Sequence, residues 1–83
     1  PVAPKAIQAI LAIPSCAAYI KALRCYASNM PERARGPTLA SVKIVLRQMA
    51  KTQVDKRERG CSYALRRWKE VMKDNPTAKG CLK

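Results

Sequence analysis

The sequence contains no histidine and no phenylalanine, and only five of its 83 residues are acidic. Histidine is the side chain that most often transfers protons near neutral pH, so its absence removes the commonest general acid or base. The carboxylates are scattered or stand beside basic residues, as Glu70 does four residues after Arg66. We find no glycine-rich phosphate loop, nucleophile elbow or metal-binding helix pair. We therefore predict a protein that is not an enzyme and that uses no metal or cofactor.

Long hydrophobic runs are also missing. The longest apolar stretch, residues 6–13, is too short to span a bilayer as a helix. The printed chain starts at Pro1 rather than at Met, from which we expect that a signal peptide has been removed and that no membrane anchor remains. Apolar residues nevertheless make up 48% of the chain, which is enough to build a folded core of aliphatic side chains.

Basic residues dominate the charge. Seventeen Lys and Arg give the chain a formal net charge of +12. A field of this sign attracts polyanions, so the expected partner is an acidic protein, lipopolysaccharide or an anionic lipid surface. Nucleic acid is a less favoured partner, because the cytosol and nucleus keep cysteines reduced. The alternative is that the charge only keeps a small protein in solution.

The four cysteines are Cys16, Cys25, Cys61 and Cys81. An even number in a short chain predicts two disulfides and an oxidising compartment, here the periplasm or the exterior of the cell. A zinc site is disfavoured, because there is no histidine and no Cys-x-x-Cys pair. Chains of about this length usually gain stability from such cross-links.

The chain divides at Pro14. Residues 1–14 form a proline-bracketed extension or short helix, and residues 15–83 form a disulfide-linked helical domain. Ile7, Ile10 and Leu11 have helical spacing, so this segment either packs an apolar edge on the domain or docks on a second protein.

Three amphipathic helices are predicted after Pro14. Helix A covers about residues 16–29, with Ser15 as its N-cap, and helix B begins with Pro37 in its first turn. Helix C covers about residues 56–73, with Asp55 and Glu58 as a capping box. Residues 30–37 are a connection with about one helical turn. One long helix over 38–59, ended by Gly60, is the alternative to separate helices B and C.

These elements predict an all-α fold, a small three-helix bundle plus a short N-terminal helix, stapled by two disulfides. In an up-down-up bundle, helices A and C are parallel, which places Cys16 beside Cys61. Cys25 then lies roughly 13 Å further along, within reach of the tail that carries Cys81. We predict Cys16–Cys61 and Cys25–Cys81; the nested pairing would require antiparallel helices A and C.

The basic faces of helices B and C are the candidate binding site. The expected function is a non-enzymatic exported protein that binds an anionic partner. The first alternative is a secreted, cationic, membrane-active toxin, antimicrobial protein or effector, and the second is a nucleic-acid-binding domain. The candidate residues are Lys43, Arg47 and Lys51 on helix B, and Arg66, Arg67, Lys69 and Lys73 on helix C.

Several spaced residues also form a pattern. It consists of Cys16-x-x-Tyr19-Ile20, Cys25, Ser28-x-Met30-Pro31-Glu32, Leu46-x-Gln48-Met49, Cys61-x-x-Ala64-Leu65 and Gly80-Cys81. The pattern resembles a family of small, uncharacterised four-cysteine proteins of proteobacteria that carry signal peptides. This resemblance implies export to the periplasm and a helical fold with two disulfides, and it supplies no catalytic residues. Residues 1–14 and the excess of Lys and Arg depart from the family pattern.

Overall fold

A computed structural model describes residues 2–82, and this part of the chain is helical without any β-strand. The predicted all-α bundle with a short N-terminal helix is therefore confirmed. The helices are α1 Pro4–Leu11, α2 Pro14–Ser28, α3 Glu32–Lys51 and α4 Val54–Met72, followed by a 3-10 turn at Pro76–Ala78.

Helix α2 lies at the centre and runs parallel to α4. Near their starts, the Ser15 hydroxyl donates a hydrogen bond to the carbonyl oxygen of Glu58 at 3.1 Å. Just beyond their ends, the Asn29 side chain donates to the carbonyl oxygen of Thr77 at 2.9 Å. Helix α3 connects the end of α2 to the start of α4 and therefore runs in the opposite direction. This is the up-down-up arrangement expected for three helices with short links.

The core is built from aliphatic side chains and one disulfide. Its buried members come from all four helices, and α1 contributes Ile10, which is fully buried. The apolar edge of α1 thus packs on the body of the molecule, as its helical spacing suggested. The buried core residues are Ile10, Cys16, Ile20, Val42, Leu46 and Cys61.

The predicted disulfide pairing is confirmed. Cys16 is bonded to Cys61 with their Cα atoms 4.8 Å apart, and Cys25 is bonded to Cys81 at 5.7 Å. Because α2 and α4 are parallel, Cys16 in the first turn of α2 meets Cys61, two turns into α4, and the tail folds back to Cys25 in the last turn of α2. The nested pairing is excluded by the same geometry.

The prediction for the start of the third helix is wrong. Helix α3 begins at Glu32, five residues before Pro37, and it includes the segment predicted as a connection. The carbonyl oxygen of Pro31 accepts hydrogen bonds from the amides of Ala34 and Arg35, which forms the first turn. Glu32 adds a negative charge in that turn, where the helix dipole favours one. Pro37 is exposed inside the helix, so the carbonyl that loses its partner can be hydrated.

The predicted N-caps are also wrong. Pro14 is the first residue of α2, and Ser15 bonds to α4 instead of capping its own helix. Helix α4 begins at Val54 after Gln53, with no side-chain cap, so Asp55 lies within the first turn. Both starts are set by extended backbone at the preceding residue rather than by a capping oxygen.

The alternative of one long helix over 38–59 is excluded. Thr52 is extended, with φ −80° and ψ 140°, and this breaks the chain into α3 and α4. Gly60, which the alternative placed after the helix end, lies inside α4.

Candidate anion-binding surface

Three open hollows run along one side of the molecule, over α2, α4 and the C-terminal turn. The central hollow, beside Cys25, shares Leu65 and Lys69 with the hollow that Arg66 lines. It shares Gly80 with the hollow at the C-terminal turn, so the three are continuous. We call this surface the groove face. Its basic residues are Lys21 of α2, Arg66 and Lys69 of α4, Lys73 directly after α4, and Lys79 after the 3-10 turn.

Helical periodicity and one disulfide bring these cations together. Residues 66, 69 and 73 are three and four positions apart, which places them on one face of α4. Lys21 joins them because α2 runs parallel to α4, and both Lys21 and Lys69 line the central hollow. The Cys25–Cys81 bond draws the tail against α2, and Gly80, with a φ of 90°, allows the chain to turn there.

The floor of the groove face is apolar and shallow. The central hollow has a volume of about 350 Å³ and is lined by Ala18, Ala22 and Leu65 beside the Cys25–Cys81 disulfide. Small side chains on α2 keep the floor low, so the lysines stand at its edges. A shallow groove with basic residues along its edges can bind an extended polyanion along its length more readily than it can enclose a small ligand.

Two carboxylates lie near the ends of the groove face. Asp74 lines the hollow formed with Lys73 and Lys79. At the other end, Glu58 accepts a hydrogen bond from the Ser62 hydroxyl at 3.0 Å. The centre of the groove face, between these two acids, carries only positive charge on its lining residues.

The structure separates the seven predicted basic residues. Arg66, Lys69 and Lys73 lie on the groove face, whereas Arg67 is about 200° around α4 from Lys69 and lines none of its hollows. Lys43 and Arg47 line a different hollow, between α1 and α3. Lys51 is exposed at the end of α3 and lines neither hollow.

Lys21 and Lys79 are members of the groove face that the sequence did not single out. They lie 48 and 10 positions from Lys69 in the chain, and no local spacing connects them with it. The only sequence signal was the cysteine pairing, since linking residues 25 and 81 brings the tail to α2.

Among the aromatic residues, Trp68 and Tyr26 pack against each other, whereas Tyr63 is exposed. Trp68 is half-buried and packs edge-on against Tyr26, with ring centroids 6.0 Å apart and an interplanar angle of 82°. Tyr63 is 57% exposed, and the guanidinium of Arg66 lies 5.8 Å from its ring centroid. Trp68 is therefore occupied in packing, and Tyr63 is the aromatic ring that lies open beside a cation.

A buried arginine, outside the groove face, lies at the turn between α3 and α4. Arg57 is 9% exposed, and its Nε donates hydrogen bonds to the carbonyl oxygens of Met49 at 2.8 Å and Thr52 at 3.2 Å. Its Nη2 donates to the carbonyl oxygen of Ala50 at 3.3 Å. These carbonyls lie at the end of α3, beyond the last regular helical hydrogen bonds, and that of Met49 also accepts from the Thr52 amide at 3.1 Å. Arg57 is thus a structural cation that fixes the turn between α3 and α4.

The described residues contain neither a metal-binding cluster nor a single helix that could span a membrane. Between Val2 and Leu82, no three His, Cys, Asp or Glu side chains are grouped as they would be around a metal ion. In the same range no single helix is long and apolar enough to cross a membrane; α1 and α2 together are, but the chain bends by 105° between them.

Comparisons with protein-family models, with curated proteins and with solved structures find no match to this chain. The resemblance to four-cysteine periplasmic proteins therefore stays a prediction.

Proposed function

We propose that this chain is a non-enzymatic, exported protein that binds an anionic partner through the groove face. The partner is a polyanion of the cell envelope, such as lipopolysaccharide, or the acidic surface of a protein. The observation that carries the proposal is the convergence of Lys21, Arg66, Lys69, Lys73 and Lys79 on one continuous surface.

The charge arrangement supports a polyanion over a single small anion. The cations are spread along a groove instead of converging on one buried point, so each can meet a different negative group. The net charge of +12 adds long-range attraction, to which the exposed row of Lys43, Arg47 and Lys51 contributes. The two disulfides are compatible with an oxidising compartment, which supports export.

The test is the binding of long-chain polyphosphate, a linear polyanion without lipid, measured by calorimetry at several salt concentrations. The variant K69Q/K73Q removes two cations from the groove face. Its matched control, K56Q/R67Q, removes two exposed cations of α4 that lie outside the groove face. We expect K69Q/K73Q to weaken binding and to lower the slope of log K against log salt by about two, because each lysine that is replaced no longer neutralises a phosphate.

The control should keep a slope close to that of the unmodified protein. An equal loss in both variants would mean that net charge alone drives binding, and no binding at low salt would remove the polyanion proposal. The same titration with lipopolysaccharide tests the envelope partner directly.

Membrane activity is the second candidate. The observation in its favour is the apolar pair formed by α1 and α2, which has the length and composition of a broken span. Against it, Ile10 of α1 is fully buried in the core, so insertion would require α1 to leave the body. Leakage of dye from anionic vesicles, with neutral vesicles spared, would establish this activity, and intact vesicles of both kinds would exclude it.

A further inference from the structure

A second hollow, distinct from the groove face, lies between α1 and α3. It has a volume of about 390 Å³ and is lined by Val2, Ile7, Lys43, Leu46 and Arg47. We call it the α1–α3 hollow. Because it shares no lining residue with the groove face, an inference drawn from it does not rest on the proposed function.

The walls of this hollow are branched aliphatic side chains. Leu46 is only 5% exposed and forms the floor. Val2, just before α1, and Ile7, within α1, are half-buried and form the opposite wall. Helix α1 creates the hollow, because it packs on α3 through Ile10 and leaves Ile7 at the rim. Apolar area that remains open to water in this way favours a hydrocarbon ligand, at about 25 cal/mol for each Å² covered.

The polar part of the hollow is entirely cationic. Lys43 and Arg47 are exposed and four positions apart on α3, so they lie on one face of that helix at the edge of the apolar floor. The lining includes no carboxylate. An arginine and a lysine at this spacing can bind one carboxylate or phosphate group, the arginine through two parallel hydrogen bonds.

We propose that the α1–α3 hollow binds one molecule of a single-chain lipid anion, a hydrocarbon chain with an anionic head group. The chain lies on Leu46 against Val2 and Ile7, and the head group is held by Lys43 and Arg47. The volume is in the lower part of the range of small-molecule sites, which suits one chain and not a whole bilayer lipid. Charge complementarity excludes a cationic amphiphile, and the aliphatic floor disfavours a free inorganic anion.

The test uses dodecyl phosphate as the probe, at concentrations where it is monomeric, with calorimetry and methyl NMR on the whole protein. We expect saturable binding of one molecule and shifts of the methyl signals of Val2, Ile7 and Leu46. Inorganic phosphate and dodecyl trimethylammonium should bind at least about tenfold more weakly, because each lacks one of the two recognised parts.

The variant K43Q/R47Q should lose about tenfold or more in affinity for dodecyl phosphate, with the fold unchanged by circular dichroism. The matched control K5Q/R33Q also removes one lysine and one arginine, from exposed positions of α1 and α3 outside the hollow, and should bind within about twofold of the unmodified protein.

Two results would overturn the proposal. One is equal binding of inorganic phosphate, which would show that the chain is not recognised; the other is an equal loss in K5Q/R33Q, which would assign binding to net charge. Polyphosphate binding by K43Q/R47Q distinguishes this proposal from that of the groove face. A variant that loses dodecyl phosphate but still binds polyphosphate has lost the α1–α3 hollow alone, with the groove face intact.

Discussion

Arg57 carries a positive charge into the interior, and its surroundings explain how the fold tolerates it. Its guanidinium donates to three carbonyl oxygens at the end of α3, those of Met49, Ala50 and Thr52. Helix C-termini carry a partial negative charge, so the site favours a cation both by hydrogen bonding and by the helix dipole. A lysine could reach these carbonyls only as a point charge, without the planar fork.

Replacing Arg57 by alanine is expected to lower the free energy of unfolding by about 2–3 kcal/mol, because three carbonyls lose a charged donor. Urea unfolding monitored by circular dichroism measures the change. The matched control is Arg59→Ala, an exposed arginine on the same helix, which should change stability by less than about 0.5 kcal/mol. Equal stability of the two variants would show that Arg57 does not hold the turn.

Tyr19 is a second residue whose environment changes a measurable property, the pKa of its side chain. Burial raises the pKa of its phenol above the ordinary value of 10.0, because the phenolate would lose hydration in the half-buried site. The unfolded chain therefore loses this proton at lower pH than the folded protein. The resulting contribution to stability is complete below about pH 10 and is lost as the pH rises through the folded-state pKa.

The difference between the alkaline absorbance titrations of the unmodified protein and Tyr19→Phe isolates the Tyr19 phenolate. We expect its midpoint above pH 10.0 in the folded protein and a shift to lower pH in urea. A midpoint that is the same in both conditions would contradict the effect of burial.

At the scale of the elements, α3 and α4 each contain one glycine that makes no packing contact. Gly36 lies in α3 and Gly60 in α4, and a Cβ added at either position meets no heavy atom of a residue beyond its chain neighbours and its own helix backbone within 4 Å. Gly80 has equally open surroundings but a φ of 90°, which residues other than glycine rarely adopt.

Gly60→Ala is expected to raise the free energy of unfolding by about 0.5–1 kcal/mol, because alanine restricts the unfolded chain and favours helix. Gly36→Ala should raise it by less, because a Cβ at the residue before Pro37 clashes with the Cδ of that proline in the helical conformation. Gly80→Ala should instead lower it by about 1 kcal/mol, because of its backbone conformation. Thermal unfolding of the three variants provides the comparison, and stabilisation by Gly80→Ala would contradict the assigned turn.

The helix boundaries show which elements could be predicted from local pattern. Helices α2 and α4 follow their apolar spacing closely, because their buried stripes face each other along their length. The start of α3 could not be predicted from Gly36 and Pro37, which are ordinary signals of a break. Both residues are exposed in the structure, so neither has to satisfy a packing contact that would exclude it from the helix.

At the scale of the whole molecule, the two disulfides differ in exposure. Cys16 and Cys61 are 0% and 1% exposed in the core, whereas Cys25 is half-buried, its partner Cys81 is 6% exposed, and both line the groove face. Both links close long loops, with sequence separations of 45 and 56 residues. In the chain-entropy model each contributes about 4 kcal/mol, a large share of the stability of a small domain.

Under mild reduction, Cys25–Cys81 is therefore expected to open before Cys16–Cys61, since a reductant can attack at the half-buried Cys25 without unfolding the core. Timed alkylation followed by peptide mass analysis identifies the first thiols to appear. In the variant C25A/C81A, the tail is freed, and polyphosphate binding should weaken because Lys79 leaves the groove face. Simultaneous opening of both bonds would show that reduction requires global unfolding.

The convergence of basic residues belongs to this scale as well. The sequence grouped Arg66, Arg67, Lys69 and Lys73 on the basic face of helix C, because they are close along the chain. It could not connect them with Lys21 or Lys79, since those residues join the groove face through helix packing and a disulfide. Arg67 was grouped with the other three because it is close in the chain, but helix geometry places it on another side of α4.

By itself, the sequence determined the helical class, and it favoured the observed number of main helices and the observed disulfide pairing over one alternative each. Each depends on spacing along the chain: apolar residues with a helical period, and a cysteine near each helix start that parallel packing must bring together. Only the tertiary structure decided which cations share a surface, how α3 begins and where Arg57 is buried. Those features depend on side chains from distant segments meeting in space, and no local pattern of residues encodes such a meeting.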